Sequence, residues 1–188
     1  VSLIRLFVIP LQTKRTMVFK FRAVELEDAG LFYEWENDMA TWEVGNVLRP
    51  FSRFALEQYV MQSQNESFYA AGQMRLMVDV EDEEGIRTIG CVDLFDFEPR
   101  DLRAGMGLLI RKEERGKGYA RGILELLWNY VVRVYSLRQL YCFVPCDNQA
   151  SKRMLLSGGF EHTATLKDWI YREGKSKDVE VYQRIKTC

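Results

Sequence analysis

One segment near the middle of the chain limits the possible folds more than any other. An apolar strand pattern ends near Ile110, charged residues follow, and Gly116 and Gly118 lead directly into a helix. The apolar residues of that helix recur every three or four positions and form one stripe: Ile123, Leu124, Leu127, Trp128, Val131 and Val132. A strand that passes through a glycine turn into an amphipathic helix is typical of domains in which helices pack on a sheet.

The glycine turn also has a chemical meaning. Glycine has no Cβ and tolerates positive φ, so successive backbone N–H groups can converge on one anion. The following helix N-terminus adds partial positive charge, and two basic side chains lie in the turn. We interpret the segment as a pyrophosphate site, although a tight turn with a solvated basic face is an alternative. The candidate residues are Arg115, Gly116, Lys117, Gly118, Tyr119 and Ala120.

Two common phosphate-binding motifs do not fit this turn. A P-loop has four residues between its glycines and then Gly-Lys-Ser/Thr, whereas Tyr119 follows Gly118. A dinucleotide-binding fingerprint needs a third glycine at the position that Arg121 occupies. A different phosphate-containing ligand is therefore expected.

The remaining pattern predicts one α/β or α+β domain around a mixed sheet, because no repeat, low-complexity tract or Pro/Gly-rich linker divides the chain. Besides the helix after the glycine turn, helices are predicted to begin at Glu27-Asp28, after Ser52, and at Asp147 or Asn148. The predicted strands span residues 18–24, 75–80, 86–97, 104–110, 140–144, 160–171 and 178–185.

Composition excludes several functions. The chain has 188 residues, 47% of them hydrophobic, which is enough for one domain with a substantial core. Its formal net charge of −1 provides no basic surplus for nucleic acid or for anionic membranes. Four scattered cysteines and one histidine predict neither a disulfide framework nor a metal site. We expect reduced thiols and a cytoplasmic protein.

The first residues differ from the rest. The apolar run over residues 3–11 is too short to span a bilayer, and its basic residues mainly follow it, unlike those of a signal peptide. Clear strand patterning begins after Met17. We expect residues 1–16 to be a dispensable extension and residues 17–188 to form the domain.

At the glycine turn the sequence resembles the GNAT superfamily of acetyltransferases, whose cofactor signature is Gln/Arg-x-x-Gly-x-Gly/Ala. Further segments in matching order resemble the family's central strand, the strand before the loop, and its Asn-x-x-Ser…Gly-Phe segment: residues 89–95, 103–108, 148–151 and 159–160. The likeness covers about residues 18–186. It favours the branch that holds ribosomal-protein N-terminal acetyltransferases and spermidine/diamine acetyltransferases.

The resemblance implies a fold and an activity. The fold is a mixed, mostly antiparallel twisted sheet of about six or seven strands with splayed central strands, flanked by about four helices. The activity is transfer of an acetyl group from acetyl-CoA, without a metal, to a primary amine of a small polyamine-like molecule or a protein N-terminus. A CoA-binding module with little or no catalysis is the alternative. A homodimer is expected by analogy.

The resemblance also assigns cofactor residues. Backbone amides of residues 116–120 bind the pyrophosphate of coenzyme A, and Leu109 and Ile110 present strand backbone to the pantetheine arm. Asn148 hydrogen-bonds the pantetheine or thioester region, with Ser151 nearby. Lys152 is the candidate for the 3′-phosphate, with a solvated helix face as its alternative role.

Catalytic residues are less well defined. Many relatives have a tyrosine acid seven positions after the asparagine, but this position is Leu155 here. Ser151, acting through water, is the candidate donor, and direct transfer without a dedicated acid is the alternative. For the base we prefer Asp93 to Glu98 and His162, because burial of a mid-strand carboxylate raises its pKa.

The acceptor region is predicted around the first two helices. Trp42 lies in a predicted loop and is free to line a pocket. Acidic residues around it, including Glu36, suit a cationic amine, although a solvated acidic face explains them too. The predicted acceptor residues are Trp42, Glu36 and Asp93.

Overall fold

A computed structural model describes residues 17–42, 49–172 and 174–187 of the chain. The predicted extension, residues 1–16, lies outside them. Seven strands form one sheet in the order β1-β2-β3-β4-β5-β7-β6. The strands are β1 Val18–Arg22, β2 Met74–Asp82, β3 Gly85–Glu98, β4 Arg103–Ile110, β5 Gln139–Pro145, β6 Glu161–Arg172 and β7 Lys175–Ile185. The β4–β5 pair is parallel and the other pairs are antiparallel, which confirms the predicted mixed sheet.

Six α-helices accompany the sheet within the described ranges: α1 Ala29–Glu36, α2 Met39–Trp42, α3 Arg53–Ser63, α4 Phe68–Ala71, α5 Tyr119–Val134 and α6 Gln149–Ser157. The four longer ones were predicted from the sequence, whereas the four-residue helices α2 and α4 were not. Ser52 caps α3 by accepting a hydrogen bond from the backbone N of Ala55 at 3.1 Å. Asn148 caps α6 in the same way, through the backbone N of Ser151 at 3.0 Å.

The helices cover both faces of the sheet, and each face has its own core. On one face, α5 buries its apolar stripe against strand residues such as Val92 and Met106. On the other face, α1 and α3 bury Phe32, Trp35, Leu56 and Val60 against Met77 and Cys91. Trp35 therefore packs in the core. Adjacent residues Cys91 and Val92 point to opposite faces, as strand geometry requires.

The sheet opens between its two parallel strands. β4 and β5 pair at Arg103↔Gln139, Ala104↔Leu140 and Gly105↔Tyr141, and the described chain shows no pairing between them beyond Gly105. β4 continues paired with β3 as far as Ile110, while β5 continues paired with β7 as far as Pro145. The strands therefore diverge toward their carboxyl ends, as predicted for splayed central strands. No helix in the described ranges has the length and apolarity needed to cross a membrane.

Candidate functional site

The glycine turn lies at the carboxyl end of β4, where the sheet opens. Gly116 and Gly118 have φ of 78° and 81°, and Gly118 is the N-cap of α5. A Cβ built on either glycine meets no atom within 4 Å, so the backbone conformation, and not crowding, requires glycine there. The space beside the turn is open and can accept a ligand.

The start of α5 suits an anion. The first backbone N–H groups of a helix have no partner within the helix, and the glycine cap brings no side-chain acceptor to satisfy them. The first turn of α5 carries no acidic residue that would repel an anion. The residues present therefore fit a diphosphate group.

The two basic side chains of the turn are both engaged by the protein. Arg115 donates from Nε to the backbone oxygen of Ile110 at 2.8 Å. Lys117 donates from Nζ to Oε2 of Glu114 at 2.8 Å, and this hydrogen bond raises the pKa of Lys117. Both were predicted to contribute charge to the anion site. The charge of Lys117 is instead compensated by a carboxylate that the sequence argument did not consider.

The remaining predicted cofactor residues lie on both sides of the opening. Leu109 and Ile110 are half-buried on the diverging part of β4, whose edge toward β5 has no strand partner in the described chain. Asn148 follows the end of β5, and its side-chain oxygen accepts the capping bond from the backbone N of Ser151. Its Nδ2 group makes no hydrogen bond in the described residues, so it can donate to a ligand.

Lys152 is the weakest member of the predicted cofactor set. Its Nζ donates to Oε1 of Glu180 at 2.6 Å, and both side chains are mostly buried. Glu180 also accepts a hydrogen bond from the hydroxyl of Tyr182 at 2.8 Å. The ammonium group is thus paired with a carboxylate of β7 and does not lie on a solvated helix face, whereas its role at the 3′-phosphate stays a prediction.

On the α1 face of the sheet, where the strands diverge, β4 carries two glycines and therefore no side chains of its own, and we call this stretch the trench. Its floor is Gly105 and Gly107 of β4, which lie opposite Phe95 and Asp93 of β3. A Cβ on Gly105 would come within 2.3 Å of the Phe95 ring, whereas a Cβ on Gly107 would meet nothing closer than Asp93 at 3.8 Å. Gly105 therefore accommodates the ring, and Gly107 leaves open space.

Aromatic side chains form the walls of this trench. The rings of Phe95 and Tyr141 meet edge to face with centroids 6.3 Å apart, and Tyr141 and Phe143 do so at 5.5 Å. Phe143 is 45% exposed although it is apolar. The Tyr141 hydroxyl donates to Asp96 at 3.3 Å, and burial followed by the charge of Asp96 raises the pKa of Tyr141.

Two of the predicted acceptor residues share one cation at the edge of the trench. Arg75 donates to both carboxylate oxygens of Asp93, at 2.6 and 3.2 Å, and to Oε1 of Glu36 at 2.8 Å. Burial opposes the charge of Arg75 and is the largest single influence, but the charge and hydrogen bonding of Asp93 and the neighbouring Cys91 and Tyr59 together outweigh it and keep the pKa of Arg75 well above its ordinary value. Two carboxylates around one guanidinium leave a net negative charge, and the Asp93 side chain is 33% exposed.

This arrangement changes the interpretation of Asp93. Asp93 was predicted to be a buried mid-strand carboxylate, but it forms a bidentate ion pair across the β2–β3 ladder. Arg75 was missed because its pairing with Asp93 depends on strand register. Trp42, the third predicted acceptor residue, donates from Nε1 to the backbone oxygen of Glu36 at 2.6 Å, and Arg172 of β6 donates to the Trp42 backbone oxygen at 3.0 Å.

The other candidate bases lie apart from the trench. Glu98 accepts a hydrogen bond from the backbone N of Arg100 at 3.1 Å, at the end of β3 away from the glycine turn. His162 is exposed on β6 and contacts the Thr165 hydroxyl at 3.2 Å. Leu155 is fully buried in the core.

A cavity of about 370 Å³ lies elsewhere, between the end of β1, the carboxyl end of α3, and α4. Arg75 is one of its lining residues, and its side chain also binds the trench carboxylates. The cavity does not include the glycine turn or Asp93. The residues predicted for the cofactor lie instead around the opening between β4 and β5.

Comparison with known proteins places this arrangement in a family. Residues 19–161 match the family model described as Acetyltransferase (GNAT) domain. The uncharacterized N-acetyltransferase p20 of Bacillus licheniformis is 23% identical over 176 residues, which cover 94% of this chain and 97% of p20. The uncharacterized N-acetyltransferase YoaA of Bacillus subtilis is 29% identical over 98 residues, which cover 52% of this chain and 55% of YoaA.

A solved structure shows the same fold. Spermidine N-acetyltransferase from Vibrio cholerae, crystallised with CoA and spermine, superposes with a TM-score of 0.78 at 21% identity. The match covers 89% of this chain and 95% of that protein. The two chains thus share one fold over most of their length.

Proposed function

This chain belongs to the GNAT family of acetyltransferase domains, and from that premise we propose that it transfers an acetyl group from acetyl-CoA to a primary amine of a small aliphatic cation. The observation that carries the proposal is the opening between β4 and β5, with the glycine turn at one end and a negatively charged trench beside it. In this arrangement the cofactor and the acceptor approach the same stretch of β4 from two sides.

The cofactor side uses mainly backbone groups. The N–H groups of residues 116–120 bind the diphosphate, and the unpaired edge of β4 at Leu109 and Ile110 pairs with the pantetheine amides. Asn148 donates from Nδ2 to the pantetheine or the thioester oxygen. Ser151 and Lys152 follow Asn148 in the first turn of α6. When bound, acetyl-CoA supplies an activated acetyl thioester.

The acceptor side recognises positive charge. The Glu36–Arg75–Asp93 cluster carries a net negative charge, and the rings of Phe95, Tyr141 and Phe143 offer faces to an ammonium group. A narrow trench with aromatic walls suits an aliphatic diamine or polyamine better than a folded protein. A protein N-terminus is the second candidate acceptor. The Vibrio cholerae relative, named for spermidine, supports the first.

Proton transfer is the chemical task of the trench. A lysine-like amine has a pKa of about 10.4, so it arrives protonated and must lose a proton before it attacks the thioester carbonyl. Asp93 is the proposed acceptor of that proton, directly or through water, while Arg75 fixes its position. The amine then forms the C–N bond as the C–S bond breaks. Ser151 is the proposed donor to the departing thiolate, through water, and the second proton that the amine nitrogen releases as the amide forms replaces the one that Ser151 gives.

Backbone groups supply the remaining stabilisation. N–H groups of β4 near Leu109 face the position where the thioester oxygen gains negative charge. Preorganised donors of this kind contribute about 3 kcal/mol to a transition state. The unpaired edge of β4 therefore has two roles, in binding and in catalysis.

We also propose a homodimer formed through β6. This strand is one of the two edge strands of the sheet, and its Trp169 and Tyr171 are 62% and 73% exposed. A long edge strand with exposed aromatic residues is a typical pairing surface. Light scattering of the protein and of Trp169→Glu distinguishes a dimer from a monomer. A wild-type monomer at micromolar concentration rejects this part of the proposal.

A cytoplasmic location completes the proposal. Among the described residues, Cys91, Cys142 and Cys146 form no disulfide, and such thiols persist in a reducing compartment. Burial raises the pKa of Cys91 and of Cys142 to about 12, so both stay protonated and unreactive.

Two measurements test the function. Calorimetry with CoA and with ATP tests the identity of the cofactor, and we expect CoA to bind and ATP not to bind. A thiol-release assay with acetyl-CoA then compares diamines, polyamines, amino acids and amino-terminal peptides, with the polyamines expected to react fastest. CoA binding without turnover of any amine favours a binding module. Absence of CoA binding rejects the proposal.

A further inference from the structure

Glu114 is a buried charge that the proposed mechanism does not use. It is 6% exposed, and in the described ranges Asp28 is the one other buried charged residue. Asp28 has a structural explanation, because Arg22 binds both of its carboxylate oxygens. Glu114 instead lies two residues before Gly116, at the entrance to the glycine turn.

The carboxylate of Glu114 joins the turn to the body of the sheet. Its Oε1 accepts from Nε of Arg87 on β3 at 3.0 Å, and its Oε2 accepts from Nζ of Lys117 at 2.8 Å. Arg87 also donates to Asp82 at 2.8 Å and to the hydroxyl of Tyr119 at 3.3 Å. These hydrogen bonds connect β3 to Glu114 before the turn, to Lys117 within the turn through Glu114, and to Tyr119 at the start of α5.

Electrostatics keep Glu114 ionised. Burial opposes its charge, but hydrogen bonds from Arg87 and then from Lys117 lower its pKa below the ordinary value. The four charged side chains, Asp82, Arg87, Glu114 and Lys117, together carry no net charge. Lys117 is thus the counter-ion of a buried group.

We propose that Glu114 is a positioning residue for CoA: together with Arg87 it fixes the glycine turn in its anion-binding conformation, and Lys117 serves Glu114 and not the diphosphate. This inference rests on the proposed cofactor site at the turn. Two glycines make the turn flexible, so an unrestrained turn loses more conformational entropy when it binds an anion. The hydrogen bonds of Glu114 to Arg87 and Lys117 remove part of that conformational entropy before CoA binds.

Glu114→Gln tests the proposal, because charge attraction and positioning predict opposite changes in the affinity for CoA. The variant keeps the shape of the side chain but leaves Arg87 and Lys117 with excess positive charge. If charge attraction alone governed binding, CoA would bind more tightly. Positioning predicts that the calorimetric Kd for CoA rises by roughly tenfold. An unchanged or lower Kd overturns the proposal.

A double-mutant cycle with Lys117→Met tests the role of Lys117. We expect Lys117→Met to weaken binding less than Glu114→Gln does, and the double variant to bind CoA no more weakly than Glu114→Gln alone. The salt dependence of Kd should be the same in Lys117→Met and the wild type, since no phosphate contact is lost. Additive losses, or a shallower salt dependence, would show that Lys117 binds the phosphate directly.

Controls separate folding and cofactor binding from positioning. Glu113→Gln is matched, because Glu113 is the adjacent residue and forms an exposed ion pair with Arg111; its Kd should equal that of the wild type. If Glu114→Gln does not fold, Arg87→Lys keeps the charge with fewer donors, and its Kd should also rise. Failure of the wild type to bind CoA rejects the cofactor site itself, whereas normal binding by folded Glu114 and Arg87 variants rejects the positioning role alone.

Discussion

The cofactor side and the acceptor side of the proposed site are built in different ways. The glycine turn is six consecutive residues whose backbone conformation is proposed to bind the cofactor, and its glycines have φ of 78° and 81°. The acceptor trench takes Glu36 from α1, Arg75 from β2, Asp93 from β3 and Tyr141 from β5. A site made of local backbone can be recognised in a sequence, whereas one made of distant side chains needs the sheet register.

The largest expected effect tests the backbone half of this comparison. Gly118→Ala places a Cβ at a φ of 81°, which costs about 1–2 kcal/mol of strain or forces the turn to change. A misplacement of about 1 Å in a positioning group can slow a catalysed reaction about 100-fold, and we take the same factor for an anion held by converging N–H groups. We therefore expect the Kd for CoA to rise by about two orders of magnitude, measured by calorimetry.

Gly72→Ala is the matched control for that variant. Gly72 ends α4 with a φ of 67°, and a Cβ there also meets no atom within 4 Å. Both variants should lose similar stability in thermal unfolding, but only Gly118→Ala should lose CoA affinity. Equal CoA affinity in the two variants would mean that the turn does not bind the cofactor.

The second largest expected effect tests the acceptor side of the site, which is built from side chains. Asp93→Asn keeps the shape of the residue but removes the charge and proton-accepting capacity next to Arg75. We expect kcat at saturating acetyl-CoA to fall by about 30-fold, since hydrogen bonds to charged groups contribute about 1.5–3 kcal/mol. The Kd for CoA should not change, because the carboxylate lies on the acceptor side.

Asp101→Asn provides the comparison for this variant, since it neutralises an exposed carboxylate paired with Arg103 at the other end of β4. Its kcat should match that of the wild type. An unchanged kcat in Asp93→Asn removes Asp93 from the mechanism and leaves water as the proton acceptor.

The fold was predictable because each element carried its own signal. The stripe from Ile123 to Val132 predicted α5, and the caps Ser52 and Asn148 predicted the starts of two more helices. Helices α2 and α4 were missed, because each has four residues and is too short to show a periodic pattern. Local propensity does not specify such single turns, which depend on tertiary packing.

The site was predictable in part for the same reason. The predicted residues Glu36, Trp42 and Asp93 lie together, but the cation that connects two of them, Arg75, was not foreseen. Glycines at alternate positions of β4, Gly105 and Gly107, were a signal for the trench, since they remove side chains from one face of a strand. Their meaning became clear when Phe95 and Asp93 were found opposite them.

These two glycines provide the third test. Gly105→Ala drives a Cβ to within 2.3 Å of the Phe95 ring, so overpacking should lower the free energy of unfolding by about 1–3 kcal/mol. Gly107→Ala has room and should leave stability almost unchanged, but it narrows the trench beside Asp93. We expect its KM for the amine to rise by roughly tenfold, the size of one unfavourable contact of about 1.4 kcal/mol.

Phe95→Leu serves as the check on Gly105→Ala, because a smaller side chain opposite the new methyl group should restore part of the lost stability in the double variant. Equal destabilisation by Gly105→Ala and Gly107→Ala in denaturant unfolding would contradict this explanation, because only the Cβ at position 105 is expected to collide with a neighbour.

The smallest effect concerns the aromatic wall. Phe143 is 45% exposed and packs against Tyr141, so Phe143→Ala removes little buried area and should hardly affect stability. An ammonium group over an exposed ring gains about 0.5–1 kcal/mol, so the KM for a diamine should rise about two- to fivefold. A neutral amine analogue should show no such change. If the KM rises equally for charged and neutral amines, the aromatic wall contributes shape complementarity only. Selection for positive charge then depends on the carboxylates at Arg75 alone.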